Sequence, residues 1–560
     1  LNRQSPASAL NRRTALKSFA ALGAGSVIAS CTPPAKAQAV FTHGVASGDP
    51  TQTAVIIWTR VAPEDGTPAP VTGTWDVAED EAFTRILQSG AFATGPERDY
   101  TVKIDVTDLP PGKRLSYRFA AGEKVSPIGR AITLPAGDVK QLRIALFSCS
   151  NYAFGFFNAY KHCAARDDID LALHVGDYIY EYGAGKYGDP VMESGERRLV
   201  PEHEIVTLAD YRARHALYRA DQDLQEIHRR LPFVTVWDDH EITNDAWVGG
   251  AQNHQPNEGD WESRRAAAVR AYFEWMPVRP MSSNDSTRAY RALTIGNLAT
   301  LVMLDTRLYG RDRPLDYEID VPTIEEADGV RPNWTGFRNL LADPKRTILG
   351  AEQEAWLDET LRRSHLQGVK WRIFGQQTLL GHLSSPDPTP LLRGPLDEKQ
   401  KKLAGLLTEI ARENLPLFLD SFGGSYRPAR ERLLNAITAT GGNAVILTGD
   451  SHNAWAFNLR DSEGNVAAVE IGATSVTSPG IEADLPIDPV EGEKALVEKN
   501  PELAYCKLNA RGYSVVTVAP DAVTAEWVYI DTITSRSFNA EVGKTTRIAH
   551  ASTGGTTPVA

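Results

Sequence analysis

Short runs of β-branched and aromatic residues, broken by turn clusters, occupy the chain from residue 38. Thr53-Ala54-Val55-Ile56-Ile57-Trp58-Thr59, Gly73-Thr74-Trp75-Asp76-Val77-Ala78, Tyr100-Thr101-Val102-Lys103-Ile104-Asp105-Val106 and Ser116-Tyr117-Arg118-Phe119-Ala120 read as strands, with Pro110-Pro111-Gly112 as a turn. Strands of this length and spacing predict a small all-β sandwich over residues 38–137. Pro135-Ala136-Gly137-Asp138 is the expected linker. From Leu142 the pattern changes. Apolar runs at Leu142–Phe147, Ile169–Val175, Phe233–Trp237, Ala299–Leu304, Trp371–Phe374 and Ala444–Leu447 lack polar alternation, which predicts strands buried on both faces. Helical stretches at Gly155–Arg166 and Tyr211–Arg230 lie between them, so residues 138–533 are expected to form an α/β domain. Val515–Ala519 and Thr524–Val528 read as a closing hairpin. The Ser, Thr, Gly and Ala content after about Thr534 predicts a flexible tail over residues 534–560.

Composition narrows the class. At 560 residues the chain is too long for one core and suits two or three domains. With 42% hydrophobic and 23% charged residues it has the balance of a globular protein with a sizeable core. A net charge of -12 and no basic stripe argue against a nucleic-acid-binding surface. The cysteines, Cys31, Cys149, Cys163 and Cys506, fit no zinc-finger or CxxC spacing; a Cys163–Cys506 bridge stays open.

The N-terminus carries Asn11-Arg12-Arg13-Thr14-Ala15-Leu16-Lys17 and an apolar run from Phe19 to Ala29. That pattern resembles a twin-arginine export signal over residues 1–37, with an apolar run too short to span a bilayer. Ala35-Lys36-Ala37 fits cleavage to a soluble product, whereas Ile28-Ala29-Ser30-Cys31 resembles a lipobox with Cys31 as lipid anchor. The expectation is a periplasmic or extracellular monomer, delivered by the twin-arginine translocation machinery, with the soluble product favoured over a membrane-anchored lipoprotein.

Polar clusters follow several of the apolar strands: Ser148-Cys149-Ser150-Asn151, Gly176-Asp177-Tyr178-Ile179-Tyr180-Glu181, Asp238-Asp239-His240-Glu241 and Gly449-Asp450-Ser451-His452. In open α/β sheets that strand end is where ligands bind, so convergence at one crevice is the economical reading. Carboxylate, imidazole, thiolate and phenolate are all metal ligands. A pair of cations sharing a carboxylate suits phosphoryl chemistry. Taken singly, each residue has a plainer reading. Cys149 reads as a small buried hydrophobe, Tyr180 as a core aromatic and Asp177 as a helix cap. His240 with Asp239 reads as a surface pair, and Asp450 with His452 as a turn. Their co-occurrence in one domain is what favours a metal phosphoesterase. Asp49, Asp305 and Asp420 are read as structural, and His43 as a hydrogen-bonded histidine of the sandwich.

These motifs, together with Phe41-Thr42-His43-Gly44-Val45-Ala46-Ser47-Gly48-Asp49-Pro50, resemble the bacterial alkaline phosphatase D family of calcineurin-like metallophosphoesterases, from about residue 40 to about residue 530. The resemblance implies an α/β metallophosphoesterase domain, a β-sandwich flanked by helices, preceded by a small all-β Ig/fibronectin-like domain. It implies a secreted enzyme hydrolysing phosphate diesters and monoesters by metal-activated hydroxide, with one iron(III) and one or two calcium ions. Carried over, Cys149, Tyr180 and His452 are iron ligands, Asp177 bridges, and Asp239 and Asp450 hold calcium. His240 contacts the phosphoryl group or protonates the leaving oxygen, and Arg511 pairs with phosphate. Asn244 and Asn509 are further candidates for lining the site. The sequence departs from the broader family at Gln377 and Asp450, where histidines are usual; both are oxygen donors and favour a harder cation. A phospholipase D-like phosphodiesterase is the second enzyme reading. A non-catalytic surface lipoprotein with a structural metal is the rival from another class.

Overall fold

The chain is described by a computed structural model over residues 39–187, 195–280, 288–326, 329–552 and 555–559. The export signal expected at residues 1–37 and the lipobox at Cys31 lie outside the described residues. The apolar runs form strands of two sheets. A nine-stranded sheet runs Ala540–Ala549, Ala522–Ile530, Arg511–Val518, Leu142–Phe147, Leu171–His174, Phe233–Thr235, Val45–Gly48, Val55–Arg60, Thr101–Val106. A seven-stranded sheet runs Arg291–Ile295, Ala299–Met303, Trp371–Gly375, Ala444–Thr448, Val466–Gly472, Ala454–Arg460, Leu503–Lys507. Leu142–Phe147, Leu171–His174 and Phe233–Thr235 are parallel to one another, as are Ala299–Met303, Trp371–Gly375 and Ala444–Thr448.

The lack of polar alternation has a direct cause. Leu301, Met303, Ile373, Val445 and Leu447 share a core with Ile144, Leu146, Leu171 and Leu173 of the other sheet. Their chain neighbours Val302, Leu304, Phe374, Ala444 and Ile446 point the opposite way, into a second core with Leu357, Leu361, Leu433 and Ile437. Those four residues lie on the helices Gly350–Leu366 and Arg427–Ala439. Each strand therefore buries both of its faces, one against a sheet and one against helices.

The N-terminal part is all-β, but it is not a detached sandwich. Gly129–Ile132, Arg114–Ala121, Val71–Ala78 and Ile86–Thr94 form their own sheet. Val45–Gly48, Val55–Arg60 and Thr101–Val106 instead extend the nine-stranded sheet. Val55, Ile57 and Val102 of that extension share one core with Phe92, Leu115 and Phe119. Asp49 clamps the junction: Arg291 Nη2 donates to its Oδ1 at 2.5 Å and Arg279 N to its Oδ2 at 2.7 Å. The tail expected to be flexible likewise contains a strand. Ala540–Ala549 pairs antiparallel with Ala522–Ile530, because a free sheet edge offers its backbone groups partners whatever the polarity of the side chains. Cys163 and Cys506 are separate buried thiols, so the bridge between them does not form.

Glu470 on Val466–Gly472 is fully buried and accepts from Leu380 N at 2.8 Å and Gly381 N at 2.7 Å. Burial pushes its carboxyl up to about 7, against those amides, the Thr448 hydroxyl and Arg430. A folded value above the unfolded one gives stability that is complete below the ordinary carboxylate range and lost as pH rises through about 7. The difference amounts to roughly 3 kcal/mol. Chemical denaturation across that window is expected to show falling stability, and Glu470→Gln a flatter slope. An unchanged slope in Glu470→Gln would assign the dependence to other groups.

Candidate functional site

The carboxyl ends of parallel strands from both sheets meet at one point. Gly176 and Gly449 make the approach feasible. A Cβ on Gly176 would lie 2.3 Å from Asp238 Cβ, and one on Gly449 would lie 2.6 Å from Ser148 Cβ. The residues beyond these strand ends turn sharply. Cys149, Asp177, Asp450 and His452 all have left-handed backbone, with φ of 61°, 57°, 62° and 65°. Each such residue costs roughly 1–2 kcal/mol, a strain that clusters where side chains must be aimed.

Asp177 stands at the centre. Its carboxylate groups with Cys149 and His452 on one side and with Asp239 and His240 on the other, ligand atoms in each group lying within 4.8 Å of one another. Tyr180 Oη donates to Asp177 Oδ2 at 3.0 Å and lies 3.3 Å from His452 Nε2. His452 Nδ1 is 2.5 Å from Pro479 O, which turns Nε2 toward Asp177 and Tyr180. Burial pushes the Cys149 thiol and the Tyr180 phenol well up, and Asp177 adds to both. Such groups become anionic ligands only beside a strong positive charge.

A cluster of acids continues from there. Asp239 groups with Asp238 and Asp450, and again with Asp245 and Asp420. Arg307, fully buried, threads between them. Its guanidinium donates to Asp238, to Asp420 Oδ2 at 2.5 Å and to Asp450 Oδ1 at 2.6 Å, and lies 3.8 Å from Asp239. Arg311 pairs with Asp420. Burial opposes ionisation of Asp239, yet Arg307 and His240 hold its carboxyl below the ordinary range. Burial raises Asp238 and Asp450 despite Arg307, because Asp239 adds its repulsion to both. Among the described residues, Asp177 Oδ1 and Asp238 Oδ2 are buried with no hydrogen-bond donor. Unpartnered buried carboxylate oxygens, among more acids than the arginines neutralise, fit a site for cations.

His240 is held by Glu181. Its Nδ1 is 2.7 Å from Glu181 Oε2, while Glu181 Oε1 accepts from Asn244 N at 2.8 Å and Asn253 Nδ2 at 2.9 Å. Burial disfavours the charged imidazole, but Glu181, Asp239 and Asp177 outweigh it and raise His240 well above its usual value. Glu181 thereby fixes the ring through Nδ1, and among the described residues Nε2 has no hydrogen-bond partner. Tyr182 and Tyr187 lie 5.4 Å and 6.4 Å from its centroid.

The structure brings Cys149, Asp177, Tyr180, Asp239, His240, Asp450 and His452 together. Other candidates are used differently. Gln377 Oε1 accepts from Thr306 N at 3.2 Å and Oγ1 at 2.6 Å, and Nε2 donates to Trp237 O at 2.6 Å. Its amide is consumed, so it fastens strand ends instead of offering a ligand. Arg511 pairs with Glu482 and donates to Ala510 O at 2.8 Å. The Asn244 side chain donates to Gln252 at 3.1 Å, and Asn509 is exposed. Asp305 accepts from Trp237 Nε1 at 3.1 Å and from backbone amides. Asp420, read as structural, joins the cluster through Arg307 and Arg311. Sequence reasoning missed Arg307 and Asp245, and it placed Glu181 and Asp238 in the strand-end clusters without giving either a role. Arg307 had one available signal: it follows the apolar run Ala299–Leu304, the same strand-end position as the recognised clusters.

Removing Arg307 leaves buried carboxylates without their cation. Arg307→Gln is expected to destabilise the metal-free protein by about 3–5 kcal/mol. Added calcium is expected to restore part of that loss, as read by thermal denaturation with and without chelator. A metal-free Arg307→Gln as stable as the parent would remove the guanidinium from this role.

Comparison with known proteins shows the family. Residues 144–527 match the family described as "PhoD-like phosphatase", and residues 27–135 match "PhoD-like phosphatase, N-terminal domain". Alkaline phosphatase D of Bacillus subtilis (strain 168) is 35% identical over 506 residues, 87% of this chain and 77% of that protein. A solved structure described as "Structure of PhoD" is similar with a TM-score of 0.74 and 32% identity, covering 92% of this chain and 91% of that one. With its strand-end site and both family regions in order, the chain belongs to the PhoD-like phosphatases and is a phosphate-ester hydrolase.

Proposed function

We propose that the chain is an exported, metal-dependent phosphoesterase acting on phosphate diesters and monoesters. The observation that carries the metal reading is Asp177: one carboxylate shared by two ligand groups, with Oδ1 lacking any donor. Cys149, Tyr180 and His452 would hold iron(III), whose charge suits thiolate and phenolate. Asp239 and Asp450 would hold calcium, with Asp177 common to both. Asp238, Asp245 and Asp420 extend the oxygen-rich side, where a second calcium would fit. When bound, such cations lower the pKa of water and neutralise charge on the phosphoryl oxygens.

The protein's own groups do the rest. Glu181 fixes the ring of His240 so that Nε2 is the available donor, and the imidazolium delivers its proton to the leaving oxygen. Arg511 would meet a phosphate oxygen by leaving Glu482. Seclusion of His240 among Tyr180, Tyr182 and Tyr187 limits water around the ring. The N-terminal two-sheet unit is read as Ig/fibronectin-like. The twin-arginine pattern supports export to the periplasm or beyond, with cleavage after Ala37 preferred to lipidation at Cys31. Membership of a phosphatase family leaves the non-catalytic lipoprotein without support.

Elemental analysis of the purified protein, paired with rates on an aryl phosphomonoester and an aryl phosphodiester, tests the reading. Iron and calcium are expected together, with turnover of both esters that chelation abolishes. Asp177→Ala is expected to lose both metals and all turnover; near-normal rates in it would sink the shared-carboxylate role. Cys149→Ala is expected to lose iron while keeping calcium. Glu181→Gln is expected to lower kcat by about 100-fold or more with metal content unchanged. Undiminished kcat would detach Glu181 from proton delivery.

A further inference from the structure

Residues 474–480, Thr-Ser-Val-Thr-Ser-Pro-Gly, follow the strand Val466–Gly472 and run back along the loop that carries Cys149. Val476 N donates to Ser148 O at 3.0 Å and Thr477 N to Cys149 O at 3.3 Å. Thr477 Oγ1 donates to Asn151 O at 2.7 Å, Ser475 Oγ to Ser478 O at 2.6 Å, and Thr474 Oγ1 to Ala510 O. The segment is thus pinned along its length, and it delivers two atoms to the site. Pro479 O receives His452 Nδ1. Ser478 Oγ, fully buried, lies 2.6 Å from Tyr180 Oη and 3.1 Å from Cys149 O. A serine hydroxyl carries one hydrogen. Tyr180 directs its own toward Asp177 Oδ2 at 3.0 Å, leaving a lone pair for Ser478, and the shorter contact is the stronger bond.

We infer that Ser478 is a positioning residue: its hydroxyl donates to the phenolic oxygen of Tyr180 and sets how strongly that oxygen donates to the metal. The inference rests on the iron(III) reading proposed above. Bonds to the atoms behind a metal's ligands orient those ligands and tune the ion. A hydrogen bond to a phenolate draws electron density away from the ligating oxygen. Without it the oxygen is a more electron-rich donor, so its charge-transfer absorption moves to longer wavelength and the oxidised metal is favoured.

Visible absorption of the purified, iron-containing enzyme tests this. The unmodified protein is expected to show a phenolate-to-iron band, and Ser478→Ala to show it at longer wavelength. Ser478→Thr, which keeps the hydroxyl, is expected to hold the original band position. Thr477→Val loosens the same segment without touching Tyr180 and is expected to leave the band in place. Resonance Raman of the unmodified protein supplies a second measure: the phenolate C–O stretch is expected to move in deuterium oxide, since the donated proton exchanges. A band that stays put in iron-loaded Ser478→Ala, or a C–O stretch that ignores deuterium oxide, overturns the inference while leaving the iron reading intact. An equal shift in Thr477→Val also overturns it, by assigning the effect to the segment as a whole. A colourless iron-free parent overturns the iron reading itself.

Discussion

Carboxylates gathered where two sheets meet repel one another, and burial strips away the water that would screen them. Asp177, Asp238, Asp239 and Asp450 stand in that position, and the guanidinium of Arg307 is the cation that lets the strand ends close over them. Arg307 reaches Asp238, Asp420 and Asp450 at once, so strand ends from both sheets are tied to one side chain. Its charge does not balance the cluster. That remaining negative potential, held in place by packing on both faces of each strand, makes the crevice fit to receive cations.

Around this point the scaffold is layered. Glu241 accepts from the amides of Asp177, Tyr178 and Asp238 at 3.0, 2.7 and 2.8 Å, stitching two strand ends together from beneath. Burial and the Asp177 carboxylate push Glu241 up to about 8 against those amides. Gln377 does a neutral version of the same work on the other sheet. Glu181 does it for His240. His240 and the strand ends that carry Asp177 and Asp238 thus rest on buried carboxylates with several hydrogen bonds of their own, the arrangement that holds a strained left-handed backbone in place.

Much of the site was legible from the chain because each recognised cluster begins where an apolar run stops. Asp177 and Asp450 follow a glycine, and the close contact at Gly176 explains why no larger residue precedes the acid. Arg307 escaped notice because an arginine after a strand resembles ordinary surface charge until its burial is known. Asp420 sits far from any apolar strand, in the turn before Arg427–Ala439, and only the fold carries it to Arg311. Ser478 hid within a Ser/Thr-rich stretch. The α/β alternation read well, since burial on both faces writes itself as unbroken hydrophobicity. The edges did not: Ala540–Ala549 is largely exposed and polar, and its pairing is a backbone property that side-chain pattern does not encode.

The strand Leu142–Phe147, which leads to Cys149, lies between Leu171–His174 and Arg511–Val518. One neighbour follows it almost at once in the chain; the other comes only at Arg511. Closing so long a loop is slow, and a nascent chain would carry that strand half-paired until Arg511–Val518 emerges. The Cys149 loop also leans on Val476 and Thr477 through Ser148 O and Cys149 O. Maturation of the centre therefore waits for residues 476–518: chains lacking them would expose an open sheet edge and an unfinished crevice, inviting aggregation.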